Sequence, residues 1–404
     1  MESLGHLVFL DLRDRSGLIQ CVLEDKLTQT PISLESVVII KGQVVKAPKA
    51  PNGYEIKVLL IEAINPALSP LPFEINKGQL NARLDTLLDH RVLSLRHAQV
   101  HSIFKIQAIL ATAFAEFLTK NGFTRIFTPK IVGSGTEGGS NLFAINYFEH
   151  QAYLAQSPQF YKQMMVSAGF ERVFEIAPVY RAEDHNTSRH LNEYISLDLE
   201  MGFIESEVDL MVLETELLRH MFEKVANECE MELNLHRVEI PVISEIPRMT
   251  VREAQGILKR QYGKESPKGD LDPEGERLIC QYVAKDKKSA LVFLTRYPRD
   301  IRPMYTMPAP EDSSLTASFD LLFNGLEITT GGQRIHHYSK LVESIESKGM
   351  EPTHFASYLE LFYCGMPPHG GLAIGLERLT SRLLGLTNVR EASAFPRDRT
   401  RLTP

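Results

Sequence analysis

Cysteine is scarce in this chain of 404 residues: Cys21, Cys229, Cys280 and Cys364 lie far apart and form no CxxC pair. That argues against a zinc site and against a disulfide framework, and makes a reducing cytoplasm the simplest home. There is no run of eighteen apolar residues, no basic-then-apolar segment at Met1 and no lipidation motif, so nothing directs the chain to a membrane or out of the cell. Positive charge is not in surplus either. With Lys+Arg 44 against Asp+Glu 51 the net charge is -7, so global electrostatics do not advertise a nucleic-acid binder, although a local patch can bind within an acidic whole. Internal repeats and low-complexity tracts are missing. What remains is 43% hydrophobic and 24% charged, an enzyme-sized chain that can bury large cores in two or more domains.

Residues 1–64 carry short β-like runs, LVFLDLR, LIQCVLE, VVIIKGQVVKA and YEIKVLLIEAI, separated by the turn signals DRSG and KAPKAPNG. They read as a small antiparallel barrel. In the first run Val8, Leu10 and Leu12 face inward by parity, leaving Phe9 outside beside Asp11 and Arg13, and Gln20 has the outward parity of the next strand. An exposed aromatic beside an amide suits stacking on and reading an unpaired base, while packing of Phe9 under a loop would explain it equally well. A proline-rich stretch, INPALSPLPFEI, falls within a linker spanning 65–90. From residue 91 to 404 the pattern changes. HAQVHSIFKIQAILATAFAEFLTKNGF places Ile103, Ile106, Leu110, Ala113, Phe114 and Phe117 on one helical stripe, closed by Asn121 and Gly122. The strand TRIFTP ends at Pro129, a long amphipathic helix runs from about Glu205 to Met231, SFDLLFNGLEITT is strand-like, and a C-terminal helix begins near Gly375.

RAEDHNTSRHLNEY, residues 181–194, is crowded with charge. Its flanks, VFEIAPVYR and YISLDLEMGF, alternate as strands do. A solvated hairpin loop would account for the charge, but hairpin loops run two to five residues and this one is longer, which favours a binding loop. Four more segments share its character. TEGGSNLF carries Glu137 beside a glycine pair that could let it move over a site. QSPQFYKQ presents Gln159 and Lys162. GLEITTGGQRIH offers Glu327, Thr330 and Arg334, the first two suited by their hard oxygens to share a magnesium ion. GGLAIGLERLTSRLLGL opens a helix with glycines and places Arg378 in its first turn. Taken singly, each has an ordinary structural explanation: a salt-bridged surface arginine, a turn glycine, a structural Glu/Thr pair.

Taken together the segments resemble the three signature motifs of class II aminoacyl-tRNA synthetases: a long helix and strand ending in proline, the strand, loop and strand with RAE and RHLNE, and the GLER helix. The likeness is greatest to the aspartyl-tRNA synthetases of archaea and eukaryotes, through TEGGSNLF, QSPQFYKQ, RAEDHNTSRHLNEY, GLEITTGGQRIH and the ending FPRDRTRLTP, and it spans Gly5 to Pro404. The implied fold is α+β: a six- or seven-stranded antiparallel sheet flanked by helices, preceded by an OB-fold anticodon-binding barrel. The implied reaction joins L-aspartate to ATP, giving aspartyl-adenylate and pyrophosphate, then transfers the aspartyl group to the 3′ end of tRNA-Asp. By the same resemblance Arg181 holds the α-phosphate and the amino-acid carboxylate. ATP is further held by Ala182, Glu183, Arg189, His190 and Leu191 on the loop and by Glu327, Gly375, Leu376, Glu377 and Arg378. Mg2+ sits at Glu327 and Thr330. Aspartate meets Glu137, Gln159, Lys162, Thr330 and Arg334, with the cations Lys162 and Arg334 choosing its carboxylate over asparagine. Phe9 and Gln20 contact anticodon bases. The long helix and Pro129 form a two-fold interface, so a homodimer is implied.

Several positions depart from the family. Thr330 stands where many members have serine. The family's first barrel strand, normally containing a tryptophan, should precede residue 1, and this chain has Trp 0. An OB barrel needs five strands where four runs are visible, so either the start lies upstream, or the open edge is covered otherwise, or anticodon binding is weakened. Leu68 stands where relatives that reject tRNA-Asn often place a lysine, which points to an enzyme that charges both tRNA-Asp and tRNA-Asn. Two rival readings are a synthetase paralogue that passes aspartyl-adenylate to ammonia or another small acceptor, and a catalytically dead interaction module. The latter would have lost Arg181, Glu327 or Arg378.

Overall fold

The computed structural model describes residues 2–4 (backbone only), 7–24, 32–50, 52–68, 70–135, 141–184 and 187–404. The chain divides into two units, Met1–Asn81 and Ala82–Pro404.

The first unit is a sheet of five strands: β1 (Glu2–Leu4), β2 (Leu7–Asp14), β3 (Gly17–Glu24), β4 (Val37–Lys46) and β5 (Tyr54–Asn65), in the order β1-β2-β3-β5-β4. Five strands rather than four is a correction to the sequence reading. At three residues, β1 is too short to show a two-residue period. The pairs are antiparallel except β3 with β5. The inward parity expected of Val8, Leu10 and Leu12 is observed: they pack with Ile19, Cys21, Leu23 and Val58. Phe9 lies opposite Val22 and Gln20 opposite Asp11, both on the other face. Gln20 donates through Nε2 to Glu55 Oε2 at 3.0 Å. The strand order leaves β4 at an edge, where Val44 is 61% exposed.

The second unit is built on a sheet of eight strands. These are β6 (Thr124–Arg125), β10 (Arg172–Tyr180), β11 (Glu193–Gly202), β12 (Arg248–Thr250), β13 (Leu291–Thr295), β14 (Ser318–Phe323), β15 (Leu326–Arg334) and β16 (His369–Gly375). A separate three-stranded sheet holds β7 (Ile131–Val132), β8 (Ala144–Tyr147) and β9 (His150–Leu154). The main sheet runs β12-β13-β14-β15-β16-β11-β10-β6. Its six central strands are antiparallel, as expected, while the short strands at each end pair in parallel. They have two and three residues and bring the sheet to eight strands against the six or seven expected; β6 is all that forms of the strand expected over TRIFTP.

One face of this sheet is covered by two long helices, Ala98–Lys120 and Glu207–Glu228. Ile106, Leu110 and Phe114 from the first helix and Leu217, Leu218 and Phe222 from the second meet Phe174, Leu197, Leu199 and Phe319 of the strands in one core. By length and composition the first helix could cross a membrane, but its apolar stripe is the one buried here. The second begins at Ser206 in a capping box with Asp209, which satisfies two free backbone donors. Because side chains alternate across a strand, burying Leu197 and Leu199 turns Ser196, Asp198 and Glu200 to the opposite face, where the polar residues collect.

β14 and β15 are joined by Asn324 and Gly325 at φ 45 and 84. This two-residue hairpin turn needs a left-handed backbone at both positions, which Asn-Gly provides. SFDLLFNGLEITT is therefore two strands rather than one.

Candidate active site

A cavity of about 440 Å³ opens on the polar face of the second unit. Register across the sheet aligns Asp198 with Ala373, Ala373 with Thr330, and Thr330 with Asp320, and the first three of this row line the cavity. The next row runs Glu200, Gly371, Gly332 and Ser318. Gly371 is required here, because a Cβ on it would lie 2.1 Å from Glu200 Oε2.

The base holds a buried cluster of four charges. Lys162 Nζ lies 3.1 Å from Asp198 Oδ1 and 3.2 Å from Glu200 Oε2, and it donates to the carbonyls of Leu199 and Leu372. Arg334 Nε donates to Glu200 Oε1 at 3.1 Å and Nη2 to Gly371 O at 3.0 Å. Burial pushes the Glu200 carboxyl up, but the charges of Arg334 and Lys162 outweigh it and hold the group below its ordinary range. The two cations expected to face a substrate carboxylate are thus already matched by two carboxylates. Asp198 and Glu200 were legible as the polar positions of YISLDLEMGF, but not as their partners.

Gln159 and Lys162 sit in a helix, Gln159–Met165. Gln159 Nε2 donates to Gln163 Oε1, which also accepts from the Tyr358 hydroxyl. Gln163 Nε2 meets His369 Nε2 at 2.6 Å, and His369 Nδ1 faces Pro367 O at 2.9 Å. Burial lowers the His369 pKa to about 4 against the pull of Glu200, so the ring is neutral. It donates from Nδ1 and accepts at Nε2.

The charged loop begins where β10 ends. Arg181 N donates to Asn192 O, and Asn192 Nδ2 returns bonds to Arg181 O at 2.7 Å and Glu183 O at 3.0 Å. One asparagine therefore closes the neck of the loop. Ala182 is held through its backbone, donating to Asn141 O. Arg181 Nη1 is 3.9 Å from Glu183 Oε1, and His190 Nε2 is 4.0 Å from Glu183 Oε2. Leu191 lines the cavity, as does Tyr194, an aromatic ring the sequence reading passed over. The C-terminal segment buttresses the loop: Asn192 N donates to Arg397 O, Glu193 bridges to Arg397, and Arg399 pairs with Asp184 at 2.9 Å.

Glu327 and Thr330 are neighbours on β15, with Thr330 Oγ1 donating to Glu327 Oε1 at 3.1 Å. Arg378 Nη1 donates to Glu327 O at 3.1 Å and its Nε to Arg189 O at 3.4 Å. Arg189 is paired with Glu276. Burial pushes the Glu276 carboxyl up to about 7, opposed by Arg189. Asp320, absent from the sequence reading, accepts from Arg302 Nη2 at 2.7 Å, while its Oδ1 is buried with no donor in hydrogen-bonding geometry. Burial raises its pKa, with the nearby Glu327 adding to the effect against Arg302. Glu327, Thr330 and Asp320 are all hard oxygen donors and so fit Mg2+. Among the described residues no group of three or more His, Cys, Asp or Glu side chains could hold a metal alone, so an ion here would need further ligands from a substrate.

Gly375, Glu377 and Arg378 line the cavity. Leu376 does not: its side chain belongs to the core, leaving only its backbone for a ligand. Glu377 is 5% exposed, and both its oxygens accept from Ile195 N at 3.1 Å, with burial raising its pKa to about 8. Its carboxyl is committed to the sheet, leaving its backbone for any ligand. Glu137 lies outside the described residues, and Phe9 and Gln20 belong to the other unit.

Residues 83–399 match the family described as tRNA synthetases class II (D, K and N), and residues 1–64 match the OB-fold nucleic acid binding domain. Across 100% of its length the chain is 53% identical to the aspartate–tRNA(Asp/Asn) ligase of Thermus thermophilus, covering 94% of that protein. It is 44% identical to the aspartate–tRNA(Asp) ligase of Pyrococcus abyssi, with the same coverages, 100% and 94%. Among solved structures it is similar to asparaginyl-tRNA synthetase from Pyrococcus horikoshii complexed with asparaginyl-adenylate, at TM-score 0.93 and 32% identity over 100% of this chain and 94% of that one. The aspartyl tRNA synthetase from Entamoeba histolytica gives TM-score 0.88 and 32% identity over 100% and 87%. With both units matched and identity this high along the full length, the chain belongs to the class II aminoacyl-tRNA synthetases, in the aspartate–tRNA ligase group.

Proposed function

We propose that this chain activates L-aspartate with ATP and transfers the aspartyl group to the 3′ ends of both tRNA-Asp and tRNA-Asn. The observation that carries the reading is the buried cluster of Lys162, Arg334, Asp198 and Glu200, of which the first three line one cavity with Arg181, Glu327 and Arg378. Arg334 Nη1 and the Lys162 ammonium receive the substrate's side-chain carboxylate, with Gln159 beside them. Asparagine in the same place would set its amide NH2 against the N–H donors of Arg334 and Lys162, a donor-to-donor mismatch of the kind that discriminates by about 10⁴-fold or more.

The carboxylate oxygen of aspartate attacks the α-phosphorus of ATP and pyrophosphate leaves. Arg181, held at the strand end through Asn192, spans the α-phosphate and the attacking carboxylate and stabilises the charge that grows between them. Arg189, His190 and Glu183 order the bent triphosphate, Leu191 and Ala182 border the base, and the Arg378 guanidinium stacks on adenine beside Gly375. Glu327, Thr330 and the adjacent Asp320 are the residues that would hold Mg2+, which when bound neutralises phosphate charge. A hydroxyl of the terminal ribose of tRNA then attacks the adenylate carbonyl and AMP departs. No covalent enzyme intermediate is needed, and positioning supplies roughly 7–11 kcal/mol of such a barrier.

The tRNA-Asn half rests on Leu68, 93% exposed, and is supported by the Asp/Asn name of the Thermus relative. The presence of an OB unit disfavours the small-acceptor paralogue. Phe9 and Gln20 read anticodon bases, exposed Phe127 (82%) ahead of Pro129 fits a two-fold dimer interface, and four free cysteines suit the cytoplasm. Charging assays with both transcripts test the proposal. Aspartate should load onto each with kcat/KM values within about tenfold of one another. A preference for tRNA-Asp of about a hundredfold or more removes the tRNA-Asn half, and absence of aspartate-dependent pyrophosphate exchange removes the whole.

A further inference from the structure

We propose that Glu276 is a positioning residue for the ATP site, one that fixes the Arg189 guanidinium in the orientation that receives the end of the triphosphate. This rests on the reading of Arg189 as a triphosphate ligand.

Glu276 lies in the first turn of the helix Pro273–Asp286, outside every motif that points to the site from sequence. One of its oxygens, Oε2, accepts from both Arg189 Nη2 and the backbone N–H of Glu327, the latter at 3.0 Å. The second bond matters because it orients the carboxylate before the arginine arrives. The helix itself is anchored. Asp272 caps it through Gly275 N at 2.8 Å, and it packs against the β14–β15 turn so closely that a Cβ on Gly325 would lie 3.2 Å from the Arg277 Cα. Glu276 therefore rides on the hairpin that carries Glu327, and it transmits that position to Arg189 on the loop across the cavity.

Only Nη2 of Arg189 is occupied by Glu276, so Nη1 and Nε remain for phosphate oxygens. Arg378, which donates to both Arg189 O and Glu327 O, closes the ring from the other side. An arginine has several rotatable bonds, and a fixed carboxylate holding one nitrogen removes most of the ordering cost of presenting the rest. Glu276 touches no reacting atom, so its contribution falls on nucleotide affinity and not on the chemical step.

Glu276→Gln keeps an acceptor for Glu327 N–H and removes the charge that holds Arg189. In pyrophosphate exchange with the full chain, KM for ATP should rise about tenfold, with kcat and KM for aspartate changed by less than about twofold. In the reverse reaction KM for pyrophosphate should rise alike, while the affinity for AMP, which lacks the terminal phosphates, stays the same. Arg189→Ala is measured beside it, and the double variant should be no worse than Arg189→Ala alone. An unchanged KM for ATP in Glu276→Gln while Arg189→Ala raises it overturns the inference and leaves the reading of Arg189 standing. If neither variant changes KM for ATP, both fail. Equal weakening of ATP and AMP, or additivity in the double variant, assigns Glu276 a merely structural role and also overturns the inference.

Discussion

Lys162 and Asp198 meet at 3.1 Å with side chains 3% exposed each, so neither charge has water to fall back on. Replacing Lys162 by Met takes the cation from Asp198 and leaves Glu200 with Arg334. Breaking a buried pair by removing one partner costs about 3–5 kcal/mol. The expected outcome is a loss of that order in urea unfolding, together with loss of aspartate-dependent pyrophosphate exchange. Lys162→Glu should abolish exchange outright. Unchanged aspartate activity in either variant removes Lys162 from the specificity site.

Glu214 offers a prediction of opposite sign. It is fully buried on the helix Glu207–Glu228, and neither carboxyl oxygen has a partner in hydrogen-bonding geometry. Burial raises its pKa from 4.5 to about 8. The folded state keeps the proton through a range in which the unfolded chain has released it, so this group's relative stability is complete below 4.5 and is lost as pH rises towards 8. Glu214→Gln cannot ionise. It should be more stable than the parent by about 2–3 kcal/mol near pH 7, with the gap closing towards pH 4. Thermal melts across that range check it, and a gap that widens as pH falls contradicts it.

Asn192→Ala removes both bonds that close the neck of the charged loop. Each hydrogen bond contributes about 0.5–1.5 kcal/mol, so the fold survives while Arg181 and Glu183 lose their shared anchor. KM for ATP should rise about tenfold and kcat should fall, since Arg181 acts in the transition state. Asn192→Asp, which cannot donate, should behave like the alanine variant in the same exchange assay.

Leu68→Lys tests the choice of tRNA without touching the catalytic unit. Charging of tRNA-Asn should fall by about tenfold or more relative to tRNA-Asp, while pyrophosphate exchange stays unchanged. Equal charging of both by the variant shows that position 68 does not decide.

The cations of the site were legible because arginine and lysine stand out in apolar surroundings, and family resemblance gave them roles. Their counter-charges were not. Asp198 and Glu200 look like ordinary polar positions of a strand until register places them beside Lys162 and Arg334. Asp320 was hidden inside an apolar run whose Asn324–Gly325 turn went unread, so the face it shares with Thr330 could not be inferred. Glu276 lies 51 residues from the Glu327 amide it contacts, a distance no local pattern spans. The barrel core was readable from alternation alone, but β1 and β12 are too short for any period to show, and of the strand expected over TRIFTP only Thr124–Arg125 pairs in the sheet.

The last ordered contacts of the loop come from the far end of the chain: Arg397 pairs with Asn192 and Glu193. During synthesis on the ribosome, residues 181–194 emerge some two hundred positions earlier than the strand segment that braces them. The loop can thus gain this brace only after residue 397 has cleared the exit tunnel. A chain that stops before residue 397 would carry every signature motif and still lack this brace on Asn192 and Glu193.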